Sequence, residues 1–486
     1  MPRFLSRKER LSRASVPQAQ EAPWPLPLRG LMTEAKSSRI NNLYASRFEN
    51  FRSDGFSMFL RDGFTKNAAT NPIQRIPYEF RGQPRYIEIY GDRAEVDSST
   101  YFRNFGRPVM TAYLSSQAIM VDGRDVPFRY DGTDLQAAGY TSSNVNVNTL
   151  DGAIAHQDRI YMWDSDGPLE FFYGELGAVT GELTRYPLDR LGNISGSIVV
   201  MASVSIGDFE GTNDNLVIMT STGDMVIYEG LDPGDPENWR LWGRAKVAVP
   251  FSRFGVTKLG SDALILTKSG VISAIEAMRN QEQAINGRLA RPIRKSLVPL
   301  IAQYGGVEGW QMMTSPDGAQ VVINIPTGAT RQQFIYDVEA TAWRTADYPA
   351  QRWHALNNDL QFTHTDGSIC TPDDTDGDDG AAITAVYHSS WVDFKKGSQI
   401  SYLLPEVYGV GAITMKITAL TDRNETQRDI DEGTQTITIS PQDETDATRQ
   451  VINERIPIGV AGDVFQLRIE ITAKEAEFAG LRVGVA

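Results

Sequence analysis

The chain has 486 residues, 41% of them apolar, and a formal net charge of -14. That length leaves room for one large domain or two to three ordinary ones. The acidity speaks against a general nucleic-acid binder, which neutralises phosphates with clustered Lys and Arg, yet it suits a wall along which DNA slides without sticking.

Residues 1–24 carry Arg3, Arg7, Lys8, Arg10 and Arg13 and run into a proline-rich stretch around Trp24. Prolines favour an extended backbone and end helices, so this reads as a basic arm. It is either a mobile tail or a segment that orders against a partner, with those five cations and Trp24 as the docking candidates. The start has no apolar core of the kind a secretory signal needs. No run of eighteen apolar residues offers a membrane-spanning helix, so no membrane insertion is expected.

Residues 25–95 are expected to form the N-terminal part of a platform. From about residue 76 short β-branched and aromatic runs alternate with turns built on Gly with Asp, Asn or Thr, as in "NLVIMTSTGDMVIYEG" and "DALILTKSGVISAI", and 96–380 is the span expected to hold the blades. Such turns suit Gly, which adopts positive φ, and Asp or Asn, whose side chains bond the local backbone. The phrase recurs at roughly 45 residues, the scale of a four-stranded propeller blade. The expected fold is therefore all-β, a β-propeller of about six blades, with a sandwich array as the alternative. One stretch near 273–304 breaks the pattern with helical apolar spacing, interrupted at Pro292 and Pro299. It gathers Arg279, Arg288, Arg291, Arg294 and Lys295, either a solvated face or a basic patch for an acidic neighbour or DNA.

The run "TPDDTDGDDG", with Asp373, Asp374, Asp376, Asp378 and Asp379, invites comparison with a calcium loop. From Asp374 the first three oxygens fit, but Asp379 stands where Gly is required and Ala385 where Glu should close the shell. A hydrated acidic hinge, facing a channel lumen if there is one, is the better reading, and a non-standard cation site the alternative. Beyond it, 381–486 alternates at period two, with Phe465, Leu467, Ile469 and Ile471 on one face. That predicts a β-sandwich-like C-terminal platform.

No catalytic constellation stands out. The four histidines share no metal-ligand spacing, and Cys370 is the sole cysteine. Nucleotide loops and nucleophile elbows are missing, and a glycosidase carboxylate pair is a matter of three-dimensional separation. No enzyme activity and no cofactor is expected.

The order of segments carries a resemblance. "PLRGLMTEAKSSRINNLYASRFENFRSDGFSMFLRDGFTKN", with its Arg61-Asp62-Gly63-Phe64 turn, resembles the opening of the tail nozzle and head-closure proteins of short-tailed bacteriophages. "IAHQDRIYMWD", "LVIMTSTGDMVIYEGLDPGDPENWRLWGRAKVAVP", "LGSDALILTKSGV", "GWQMMTSPDGAQVVINIP" and "FIYDVEATAWRT" continue it in order from about residue 26 to 400. The resemblance implies a homomeric ring, most often a homohexamer, in the virion tail, assembled in the host cytoplasm. Its axial channel would retain packaged DNA and conduct it at ejection. It further implies portal-proximal or tail-adaptor rings and tail-fibre or tail-tip proteins as partners. A carbohydrate-binding or carbohydrate-cleaving propeller for host-surface recognition is the alternative, and its signature would be Trp and carboxylates clustered on one propeller face.

Overall fold

Runs rich in Val, Ile, Tyr and Phe, each ended by a turn at Gly, Asn or Asp, fold as antiparallel meanders through the middle of the chain. The computed structural model describes residues 19–35, 39–67, 70–80, 82–97, 99–205, 214–279, 289–328, 331–356, 359–373, 377–422, 434–439 and 450–486. The chain divides into two units, Phe64–Asp374 and a second made of Met1–Gly63 with Thr375–Ala486.

The first unit is a β-propeller. Six blades are separate sheets, over residues 74–102, 110–137, 152–187, 198–246, 256–273 and 350–373. Between the last two of these, the antiparallel strands Gln311–Thr314, Gln320–Ile325, Gln332–Asp337 and Ala342–Ala346 form a further meander of the same design. Meanders that follow one another in the chain pack side by side, and Ala350–Leu356 packs on Gln74–Phe80 to close the ring.

The apolar positions of adjacent blades interdigitate. Ile76, Tyr78, Ile87 and Ile89 meet Ala118, Met120, Phe128 and Tyr130, for example. This shared core is why the propeller begins ahead of the residue-96 boundary expected from sequence. Its first blade is already laid down by Gln74–Phe80 and Gln83–Ile89.

The "TSTGD" turn shows why the repeated phrase is built as it is. Thr220 accepts the N–H of Asp224 on its Oγ1 at 3.1 Å, and Gly223 sits at φ 84°. A Cβ there would lie 2.3 Å from the carbonyl oxygen of Val247. Only glycine therefore fits both the φ and the space.

The last blade is completed from the other end of the propeller segment. The strand Gly63–Lys66 joins the sheet beside Ile369–Asp373, and the N–H of Asn67 donates to the carbonyl of Ile369 at 2.8 Å. Phe64, the aromatic of the Arg61–Phe64 turn, is buried edge-on to Phe362, ring centroids 5.3 Å apart.

The expected helical stretch forms Ala274–Arg279, a single 3-10 turn Arg291–Ile293, and Arg294–Tyr304. Pro299 does not break the last helix, which runs through it. Burial of Leu297 and Ile301 on one face, with the Trp310 indole donating to the Tyr304 carbonyl at 2.8 Å, outweighs one lost backbone bond. Pro292 falls in the first turn of the 3-10 segment, where its missing N–H costs nothing.

The second unit is a β-sandwich-like module assembled from both chain ends. Its long strand Ile456–Ala473 pairs through its first half with Val392–Val410, and through its second half lies between Ile383–Ser389 and Ile413–Thr421. Val392–Val410 continues onto Glu475–Val485. Two N-terminal strands, Gln20–Pro23 and Met58–Leu60, add to Glu475–Val485, and Ala45–Glu49 adds to Ile383–Ser389. Phe465, Leu467, Ile469 and Ile471 are all buried, the period-two face read from sequence.

Candidate functional site

The five cations of the arm, Arg3, Arg7, Lys8, Arg10 and Arg13, lie outside the described residues. Trp24 does not wait for a partner. It is 3% exposed, stacks on Phe394 with centroids 6.2 Å apart, and its backbone N–H donates to the Leu481 carbonyl at 2.8 Å. Just before it, Glu21 accepts hydrogen bonds from the Tyr402 hydroxyl and from Arg455, both at 3.0 Å. The Tyr402 hydroxyl and then Arg455 hold this carboxyl below its ordinary range. The proline-rich end of the arm is thus an edge strand of its own module, because its backbone completes the Glu475–Val485 edge.

Of the basic patch, Arg288 lies outside the described residues. Arg279, Arg291 and Lys295 are exposed, and Arg294 is half-buried. They are spread along the two helices and the 3-10 turn.

Within the acidic run, Asp374 and Asp376 lie outside the described residues, and the backbone of Asp373 ends the strand Ile369–Asp373. Asp379 and Gly380 both have positive φ, 50° and 84°, and the Asp378–Ala381 bridge closes around them as a tight Asp-Gly turn. Asp379 is exposed, in keeping with a hydrated loop.

Asp378 corrects that reading. Its two oxygens accept from Nη1 and Nη2 of Arg61, each at 2.7 Å, and the Arg61 side chain is only 1% exposed. Arg61 Nε also donates to Asn50 Oδ1 at 2.9 Å, and Asn50 Nδ2 donates to the Thr384 carbonyl. A bidentate guanidinium–carboxylate pair is among the stronger side-chain contacts. Asp378 is therefore a structural anchor and not a free lumen charge.

Beside this pair the backbone is so close that a Cβ on Gly63 would sit 2.0 Å from the Gly377 oxygen. Gly63→Ala is expected to destabilise the module by about 1–3 kcal/mol through overpacking, measured as a lower midpoint in urea. An unchanged midpoint would show that the close approach relaxes freely.

The inner strands of the propeller surround an axial cavity of about 400 Å³. Sequence reading missed it, because its walls come from positions far apart in the chain: Arg75, Arg253, Phe254, Arg352, Trp353 and His354 among them. Arg75 is accounted for. It pairs with Glu88 at 2.9 Å, donates to Gln361 Oε1 at 3.2 Å and lies 3.7 Å from the Tyr86 ring centre. Its neighbour His354 is buried, and burial, followed by the charge of Arg75, drives its pKa down to about 3, so it is neutral.

Arg253 and Arg352 both pack on the Phe254 ring, at 4.9 and 4.1 Å from its centre. Arg253 donates to the Pro108 and Asp151 carbonyls. Arg352 is 5% exposed, and no hydrogen bond or ion pair reaches its guanidinium among the described residues. Burial, then the charge of Arg107, pulls Arg253 to about 10. Burial, then Arg253, pulls Arg352 to about 10. Both remain cations at neutral pH. The cavity is of small-ligand size and offers no passage to a nucleic-acid duplex.

No protein-family model and no curated protein matches the chain. Solved structures that it is similar to include β-propeller domains. The β-propeller domain of Myceliophteria thermophila Cps50 (Swd1) is 9% identical, with 63% of this chain and 98% of that one covered at a TM-score of 0.41. The β-propeller domain of Vanderwaltozyma polyspora Nup133 is 6% identical, with 66% and 99% covered at 0.34. YCF48, in a complex with D1 peptide, is 12% identical, with 55% and 79% covered at 0.35. At such scores these likenesses carry no argument about function, and the propeller assignment rests on the strand pairing described above.

Proposed function

We propose that the protein is a structural subunit of a short-tailed phage tail, forming a ring-shaped nozzle that retains packaged DNA and conducts it at ejection. The observation that supports this reading is the order of the sequence phrases from about residue 26 to 400. Those phrases fall on a propeller inserted into a module built from both chain ends. Because the propeller's own cavity holds only about 400 Å³, DNA would pass along the axis of the ring and not through a subunit.

The carbohydrate alternative would call for tryptophans gathered on an open face. Seven of the eight are buried, and Trp242, 43% exposed, stands apart. Light scattering with negative-stain imaging tests the proposal. A ring with an axial hole supports it, and a stable monomer that binds glycans overturns it. Antibody labelling of intact particles, expected at the tail, decides the case of a monomer without glycan binding.

A ring closes through two different complementary faces on each subunit. Phe56 is the most exposed large apolar residue described, at 83%, on the hairpin between Phe51–Ser53 and Met58–Leu60. Asp54 Oδ1 fixes the tip by accepting the N–H groups of Phe56 at 2.8 Å and Ser57 at 2.7 Å. A pre-formed tip with one projecting aromatic has the make-up of an interface anchor. Phe56→Ser is expected to leave the thermal midpoint within about 1 °C, since surface changes rarely exceed about 0.5 kcal/mol, and to weaken ring assembly at least about tenfold in sedimentation, a loss of about 1.4 kcal/mol. Unchanged assembly would remove Phe56 from the interface.

A further inference from the structure

The charges around the axial cavity do not balance. Asp151 is the carboxylate nearest Arg253, at 4.0 Å. It is already engaged by Arg107 at 3.3 Å, by the Ser165 hydroxyl at 2.6 Å and by the Ser165 N–H at 2.8 Å. Asp122, next in the same region, is taken by Arg103. Glu308 is exposed and lends its field to Arg253 and Arg352 without a hydrogen bond to either. Arg107 and Arg253 therefore share one buried carboxylate and none pairs with Arg352, which leaves a surplus of two positive charges among these buried groups. A largely buried cation without a protein acceptor is unfavourable, and the contact of the Arg352 guanidinium is with the face of Phe254.

We propose that the axial cavity binds a phosphate group, held by the guanidinium groups of Arg253 and Arg352. A phosphate monoester or free phosphate carries about two negative charges at neutral pH, which matches the surplus. Its oxygens accept from the planar fork that Arg352 leaves unused. Thr111, on the same wall, has a buried hydroxyl with no partner, which is a further donor for a bound oxyanion. The Phe254 ring stacks both guanidinium groups and orients them, and the neutral His354 adds no competing charge.

The test uses the full chain purified without phosphate and titrated with inorganic phosphate by calorimetry at constant ionic strength. One saturable site per chain is expected in the wild type, with affinity at least about tenfold lower in Arg352→Met and unchanged in the surface variant Arg279→Gln. Phosphorus NMR of the small molecules released on denaturing protein taken directly from cells separates free phosphate from a phosphate ester as the natural occupant. A second readout survives any loss of affinity data. In phosphate-free buffer Arg352→Met should melt no lower than wild type, because it removes an unpaired buried charge, and phosphate should raise the melting temperature of the wild type and of Arg279→Gln but not that of Arg352→Met to the same extent. Absence of saturable binding by the wild type, or equal phosphate response in Arg352→Met, overturns the proposal.

Discussion

Replacing Arg61 with methionine is expected to destabilise the sandwich-like module by about 2–4 kcal/mol. Removing one member of a buried pair usually costs about 3–5 kcal/mol. The lower figure applies because Asp378 keeps 25% of its side chain exposed and can be partly rehydrated. Three contacts fail together: both Asp378 oxygens lose their donors, Asn50 Oδ1 loses Arg61 Nε, and the carbonyl of Asp62 loses Nη1. Asp378→Asn is expected to cost less, about 1–2 kcal/mol, since an amide still accepts one hydrogen bond. Asp379→Asn, on the exposed corner of the same turn, should cost nothing measurable. Urea melts of the full chain check the series, read as separate transitions if the two units unfold independently. Equal midpoints for the Asp378 and Asp379 variants would refute the anchoring role.

The second large effect is loss of stability in mild acid. His156 is 3% exposed, its Nδ1 lies 3.0 Å from the Ser203 hydroxyl, and burial lowers its pKa to about 4. His354 in the propeller and His388 in the module are lowered to about 3, in each case chiefly by burial and then by neighbouring arginines. The unfolded chain takes up these protons near pH 6.5 and the folded chain does not. It therefore binds more protons than the native state between pH 6.5 and about 4, and stability falls as pH drops through that window. At about 1.4 kcal/mol per pH unit, His156 alone accounts for on the order of 3 kcal/mol by pH 4. The melting temperature should drop steadily from pH 7 to 4.5, with a shallower slope in the double variant His156→Gln/His354→Gln. An identical slope in that variant would discard the histidine account.

What was legible in the sequence was local. The Thr220–Gly223 turn works through bonds within five residues, and the buried alternation of Phe465, Leu467, Ile469 and Ile471 is a property of one strand, so both could be read without a fold. The insertion near 273–304 is legible as a helical break in the strand pattern, but the helix Arg294–Tyr304 runs through Pro299 against expectation, because tertiary burial of Leu297 and Ile301 decides there and not backbone propensity. The start of the propeller was placed too late because Ile76 and Ile87 show their purpose only against Met120 and Phe128 of the next blade. Trp24 looked like a docking residue for want of sight of Phe394. Arg61 and Asp378 stood out separately, in an aromatic turn and an acidic run, and nothing in 300-odd intervening residues says that they meet. The axial arginines were invisible for the same reason, since a propeller gathers one residue from each of several distant strands.

The strand Gly63–Lys66 has a consequence for the order of events during synthesis. It emerges early, but the edge it completes, Ile369–Asp373, is made some three hundred residues later, so the propeller ring stays open for most of translation. The module finishes later still, when Glu475–Val485 arrives to accept Gln20–Pro23. Until then the nascent chain carries unpaired strand edges that can pair with other chains. Contacts this distant in sequence make folding slow. A ribosome stalled anywhere before residue 369 leaves neither unit complete, so truncated products should be cleared or aggregate and should not enter an assembly as partial subunits.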